Sequence, residues 1–316
     1  ETRLTFLNKG NNRWWFDVRP NLRREMEDRK RRFGEPDVVE AIRDALQRVT
    51  GQMPFESVHV FTPGSDIPDD WGLRLVVLPP SAAWTRNGPN SARELAATIL
   101  RSRGEQPRQK QNRVLFLAAD ADQVSHLKDT IRALLAWRSI EADFRDLRLT
   151  LDNQQSRQAT QNREQTHETV LRLVRETFKW LIAPSQSPKR DGGLGEIEWD
   201  AHALNPAAQG LGNELNRVLS ENELVIHEWA PTHLHTLLQK WFWKDGVVDV
   251  PALDVWQKTC QYLYFPRLAK STVMQSTVAA GAASRDFFGM AYGKTEEGYR
   301  GFSLGQATSP LMDALL

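Results

Sequence analysis

Apolar positions along this chain follow two alternating rhythms. From Asp37, the residues Val38, Ile42, Leu46 and Val49 keep helical spacing as far as Gly51, which predicts a helix closed by glycine. Two short apolar runs follow, Val58–Phe61 and Leu73–Leu78, each bounded by Gly, Pro and Asp as strands are. A helix is predicted over 91–103, with Ser91 as N-cap and Glu94 completing a capping box. A third run, Val114–Leu117, ends in Ala118-Ala119-Asp120, and Val124, Leu127, Ile131, Leu134 and Leu135 mark the helix after it. Strand and helix in this alternation predict a small α/β unit with a mostly parallel sheet.

Residues 152–183 read as one long helix with two characters. Asp152–Thr169 is polar all round, the pattern of a projecting, partner-binding arm, whereas Val170, Leu171, Val174, Phe178 and Leu181 form an anchoring stripe. Pro184 ends this helix, and 185–195, with Pro188, Gly192, Gly193 and Gly195, has the composition of a flexible linker. A helix over 213–219 and an extended stretch over 223–229 come next. Pro231 then opens a helix bearing Leu234, Leu237, Leu238 and Trp241, and Val247-Val248 gives a short strand. Pro251 opens a helix with Leu253, Trp256, Cys260 and Leu263, and a third helix runs over 271–280 to end near Gly281. Phe287–Tyr292 and Tyr299–Phe302 flank Gly293–Gly298 as a hairpin. Helix, strand, helix, helix and hairpin is the order of a winged helix. At the other end, Leu4–Leu7 is β-like, Arg13–Val18 reads as an aromatic strand, and Pro20-Asn21-Leu22 opens a helix. The expected layout is a closing segment of an absent upstream domain (1–34), an α/β domain with a long C-terminal helix (35–184), a linker (185–195) and a winged-helix-like domain (196–316).

With 316 residues, 40% hydrophobic and 26% charged, the chain exceeds one usual domain and can bury a core in each of two. No apolar run approaches the roughly 18 residues of a membrane span. The single cysteine, Cys260, has no internal disulfide partner, and residues 1–20 lack the pattern of a secretory signal, so a reducing cytoplasm is expected. A chain opening at Glu1, without methionine, is expected to be a fragment of something longer.

Net charge is only +1, but it is unevenly placed: eight Lys/Arg against four acids between Arg13 and Phe33, and five against one over 101–113. These patches read either as solvated surface or as contacts to nucleic acid or a partner; the contact candidates are Arg23, Arg24, Arg31, Arg32, Arg108, Lys110 and Lys294. The helix over 271–281 stands in the recognition position of a helix-turn-helix. It offers Thr272, Gln275, Ser276 and Thr277, but no Arg or Asn for bidentate base pairing. Lys270, Arg285 and Lys294 are placed to touch phosphates in a sequence-blind way, and protein docking stands as the equal alternative.

Catalytic signatures are sparse. Gly-Lys-Thr at 293–295 is no phosphate loop, because Gly289 and Gly293 are one residue too close and the stretch sits in a hairpin. No dinucleotide fingerprint, nucleophile elbow or Cys/His metal spacing occurs, and His233 and His235 face different sides of their helix. Asp66, Asp69 and Asp70 follow the first strand of the α/β unit, and Asp120 and Asp122 the third. If all lay at strand C-termini, Asp66, Asp70, Asp120 and Asp122 would offer oxygen ligands for Mg²⁺. Asp equally serves turns and N-caps, and Asp120 fits the cap of the following helix. Most tryptophans fit a core; Trp14 and Trp15 are the exception, since neighbours on a strand face opposite ways.

The string Arg13-Trp14-Trp15-Phe16-Asp17-Val18-Arg19-Pro20-Asn21-Leu22 resembles the R-Y-W-F-D-T-x-P-N-L signature of a family of large bacterial ATPases. Further matches are Val58–Phe61 with Pro68-Asp69-Asp70; Gly104, Arg108, Asn112 and Phe116–Asp120; Leu135-Ala136-Trp137; Trp180-Leu181 with Pro184; Tyr264–Leu268; and Ala291-Tyr292 with Tyr299. That family, described mainly as a domain of unknown function, includes the Y-type protein of phage-growth-limitation systems. The resemblance implies an N-terminal AAA-type module, using ATP and Mg²⁺, that this stretch lacks: no position matches its Walker motifs. It also implies a place in anti-phage defence operons. The expectation is a C-terminal region without catalysis or cofactor of its own, contacting DNA or another defence-operon protein and coupling that contact to the motor. A metal-dependent phosphoesterase or nuclease using the Asp cluster, and a purely structural scaffold, are the alternatives.

Overall fold

The computed structural model of the chain describes residues 7–10, 13–16, 21–189, 193–247, 249–309 and 312–314, with backbone alone for 7–16. The expected helix start at Pro20, the strand residues Leu4–Phe6, Asp17-Val18 and Val248, Arg19, the linker glycine Gly192 and the side chains of Trp14 and Trp15 lie outside the described residues.

β1 (Leu7–Gly10) and β2 (Arg13–Phe16) form an antiparallel hairpin. α1 (Leu22–Lys30) starts at Asn21, whose side chain accepts the Arg23 and Arg24 amides at 3.1 and 3.2 Å. α2 (Glu35–Thr50) buries Val38, Ile42 and Leu46 and stops at Gly51, where φ is 45°. β3 (Ser57–Val60) and β4 (Arg74–Val77) precede α3 (Ser91–Arg101). The N-cap of α3 is Asn90, one residue before the expected Ser91: Asn90 accepts the Arg93 amide at 3.0 Å, and Ser91 Oγ donates instead to the Ala83 carbonyl. β5 (Ser102–Arg103) and β6 (Gln106–Pro107) make a minimal hairpin before β7 (Val114–Ala118). α4 (Ala121–Arg145) is capped by Asp120, as expected, and α5 (Asn153–Thr177) follows. β8 (Trp180–Pro188), β9 (Leu194–Ala203), α6 (Leu211–Glu221), α7 (Pro231–Trp241), α8 (Ala252–Gln261), α9 (Ser271–Ala283), β10 (Met290–Thr295) and β11 (Gly298–Ser303) complete the order.

The main sheet runs β3-β4-β7-β8-β9; the first two pairings are parallel and the last two antiparallel, so four of the five strands point the same way. Successive side chains go to opposite faces. Leu75, Val77, Leu115, Leu117 and Leu181 meet α2, α4, α5 and α6, while Val76, Leu78, Phe116 and Ile182 meet α3. Covering on both faces is why β4 and β7 read as unbroken apolar runs. The fold is therefore mixed α/β with a mostly parallel sheet.

Several boundaries differ from those expected. The supposed linker is sheet: Ser185–Pro188 end β8, and Leu194 and Gly195 begin β9, with Gln186 opposite Ile197. The long helix stops at Thr177, so Trp180 and Leu181 are strand residues. Its polar half is no free arm. Ala159 is buried with Trp137 and Ile140 of α4, and Arg163 pairs with Glu141 at 2.8 Å. α1 packs on the same side through Leu22 and Met26, and its buried Arg29 pairs with Glu25 and Asp143 at 2.7 and 2.6 Å. Residues 223–229 make one isolated bridge, Ile226 with Leu268, instead of a strand. α6 packs into the α/β core, and a second core begins only at Trp229, built from Leu234, Leu238, Val255, Cys260, Met274, Val278 and Phe288. Burial pushes the Cys260 thiol up to about 11. No helix among the described residues is long and apolar enough to cross a membrane.

Candidate functional site

The aspartates do not assemble. A chain that leaves β3 and re-enters a parallel β4 must cross back over the sheet. This sets Asp70 where the strands begin, paired with Arg74, the first residue of β4, with Asp69 just before it and Asp66 in the crossover. Asp120 and Asp122 follow the last residue of β7, at the opposite end, roughly 20 Å away at 3.3 Å per strand residue. Each group also has local work. Asp70 grips Arg74 through both oxygens at 2.5 and 2.7 Å, and Asp69 accepts the Gln109 and Lys110 amides at 2.7 and 2.9 Å. Asp66 takes the Ser65 hydroxyl, while Asp120 binds Lys179 Nζ at 2.8 Å, Trp180 Nε1 at 3.1 Å and the Asp122 amide at 3.0 Å. Among the described residues no group of three or more potential metal ligands comes together.

Burial alone would raise Asp120, but the bonds from Lys179, Trp180 and the Asp122 amide outweigh it and hold the carboxyl below its ordinary value. Asp70 is lowered likewise, against its burial, by the Gly72 amide and the Arg74 fork. A carboxylate with a folded pKa below the unfolded one stabilises the fold above the unfolded value, about 3.9, and that contribution disappears as pH falls through the folded value. Asp120→Asn is therefore expected to lower stability at pH 7 by about 1–3 kcal/mol, with the gap to wild type narrowing as pH falls from about 3.9 through the lowered folded value. Urea midpoints measured across pH 2–7 check this; a gap independent of pH would refute it.

The basic candidates separate as well. Arg108 is 3% exposed, and its guanidinium donates to the carbonyls of Ile99 (2.8 Å), Pro68 (3.0 Å), Ile67 (3.3 Å) and Gly64 (3.4 Å), so it clamps a loop and is closed to phosphate. Lys110 is half-buried with Nζ 4.8 Å from the Trp71 ring centre. Arg24 pairs with Asp28 at 2.9 Å; Arg23, Arg31 and Arg32 are exposed on and just after α1. Lys294 is exposed on β10, next to the exposed Glu296 and Glu297 of the turn. These residues occupy the helical layer beside α4, the strand-start end of the sheet and the distant hairpin, and form no common patch.

What the charge count missed is the junction of the two cores. Asn112 Nδ2 donates to the carbonyls of Thr259 and Phe265 at 2.8 and 3.1 Å, and Arg113 to those of Leu268 and Ala269 at 2.5 and 3.0 Å. Arg267 returns the contact, donating to Asn112, Leu224 and Pro184 carbonyls at 3.0, 3.0 and 2.8 Å. Burial, together with the nearby Arg113 charge and only partly offset by Asp200, pulls Arg267 down to about 9, still protonated at neutral pH. A detectable signal was the placing of Asn112 and Tyr264–Leu268 among the family-like strings, both of which meet here.

Two surfaces remain open. On α9 the outward positions are Thr272, Gln275, Ser276, Ala279, Ala280 and Ala283, without a charge among them; Thr277, expected at the surface, is buried and donates to the Trp229 carbonyl at 3.0 Å. The adjoining β10–β11 hairpin exposes Phe302 (74%), with Leu304 beyond it. The second surface is a trough between α3 and β9, made of adjoining hollows of about 810 and 560 Å³, with Arg93, Ala97 and Arg101 on one wall and Ile197 and Trp199 on the other. No family model, curated protein or solved structure matches the chain.

Proposed function

We propose that this chain is a docking region, without catalysis of its own, whose α7–α9 and β10–β11 unit acts as a winged-helix-like module engaging a protein partner. One observation carries this reading. The helix in the recognition position turns an uncharged face outward, beside an exposed Phe302, and the hairpin tip carries Glu296 and Glu297. Phosphate backbones are bound by cations, and acids at a wing tip repel them, so a protein surface suits this face better than DNA. The interlocked Asn112, Arg113 and Arg267 give the contact a stiff route into the α/β unit. In the ATPase family that the chain resembles, such a region would hand a partner's arrival to the upstream motor in an anti-phage setting.

DNA is the competing partner, supported by Lys270 and Arg285 at the two ends of α9 and by Lys294. Anisotropy of labelled single- and double-stranded DNA across a salt series separates the two. The expected result is no saturable binding at low salt, together with capture of a protein encoded beside the gene that is lost on Phe302→Asp. DNA affinity that falls linearly on a log–log salt plot and weakens with Lys294→Glu would overturn the protein reading.

A further inference from the structure

β9 is the last strand of the main sheet and, among the described residues, its outer edge pairs with nothing. An unpaired edge of ten residues offers a row of backbone donors and acceptors to any added strand. Its side chains alternate strictly. Glu196, Glu198 and Asp200 are exposed on the face shared with α2 and α6, while Ile197, Trp199 and Ala201 lie half-buried on the α3 face, with the Trp199 ring 6.0 Å from that of Phe116. The cross-strand neighbours of Glu198 and Asp200 on β8 are Ser185 and Ala183. Among the described residues no ion pair reaches any of the three acids; Asp200 accepts only the Ser185 hydroxyl, at 3.1 Å. Three like charges thus stand in a row without an ion pair, and the trough beside Ile197 and Trp199, whose lining the acids share with Arg86 and Arg93, lies open.

We infer that β9 receives an added strand from a partner segment in which basic and apolar residues alternate. Its Lys or Arg side chains lie directly across from Glu196, Glu198 and Asp200, where opposite charges on neighbouring strands attract. Its apolar side chains continue the Ile197–Trp199 surface into the trough, and backbone bonds supply the register. Arg93 and Arg101 on the far wall disfavour a segment basic on both faces. This surface lies outside the winged-helix-like unit and does not rest on that reading.

The test uses the intact chain and a fluorescein-labelled peptide of about nine residues alternating Lys and Val, long enough to span the edge. Saturable anisotropy is expected, with slowed amide exchange confined to 194–203. A peptide of the same composition with its lysines in one block should bind at least about tenfold more weakly, as should the wild-type peptide on Glu196→Lys/Glu198→Lys protein. Should that reversal disturb folding, Glu198→Gln gives the same direction with a smaller step. Phe302→Asp should leave peptide binding unchanged, which keeps this result separate from that of the hairpin. Equal affinity for the blocked peptide, protection elsewhere in the chain, or no binding at low salt would each overturn the inference; the acids would then guard the edge against pairing.

Discussion

Arg267→Met is expected to destabilise the chain by about 3–5 kcal/mol, lowering the melting midpoint by on the order of 10 °C. Two effects oppose each other. Removing a buried guanidinium relieves its desolvation, which is large enough to depress its pKa to about 9. Against this, the Asn112, Leu224 and Pro184 carbonyls lose their donor together, in a place where methionine offers none. Each orphaned buried acceptor costs about 1–3 kcal/mol, so three outweigh the relief. Arg267→Lys should recover less than half, because an ammonium on a flexible stem cannot fork to three carbonyls in different directions. Calorimetry gives a second readout. Arg267, Arg113 and Asn112 bridge the two cores, so the variant should split one melting transition into two. A single transition within about 1 kcal/mol of wild type would mean that the cores are held by other contacts.

The same junction shows what could be read from residues alone. β4 and β7 were legible because a strand covered on both faces leaves an uninterrupted apolar run, and the Asp120 cap because a carboxylate at a strand-to-helix turn has a standard local role. Arg108 and Arg113 were misread as exposed charge because their acceptors are carbonyls far away in sequence, which no local pattern records. β8 and β9 were hidden by their prolines and glycines, yet Glu196-Ile197-Glu198-Trp199-Asp200-Ala201 alternates as an edge strand should, and that rhythm was the available signal. The Asp cluster failed on topology. Asp70 stands four residues before Arg74 and so belongs to the start of β4, whatever strand it follows. Residues that hold a site together through backbone carbonyls are the least legible class here, and they include those joining the two cores.

Gly281→Ala sets local propensity against packing, and packing is expected to win. Near the end of the expected helix, glycine looked like a stop signal, but α9 continues to Ala283. On propensity alone, alanine inside a helix should gain about 1 kcal/mol over glycine. The position is closed, however: a Cβ there would lie 2.1 Å from Cζ of Phe288, whose ring is 6% exposed in the second core. Phe288 leads into β10, so a displaced ring carries the hairpin away from α9. Overpacking of this kind costs about 1–3 kcal/mol, and a ring forced out of the core adds to it, so a net loss of about 2 kcal/mol or more is expected. Exchange of amides 273–303 should accelerate while those of β4 and β7 keep their protection, since they belong to the other core. Phe288→Leu combined with Gly281→Ala should restore part of the loss by opening room for the methyl group. A stabilised single variant would show that the ring yields freely, and that α9 and the hairpin are not held in one orientation by this contact.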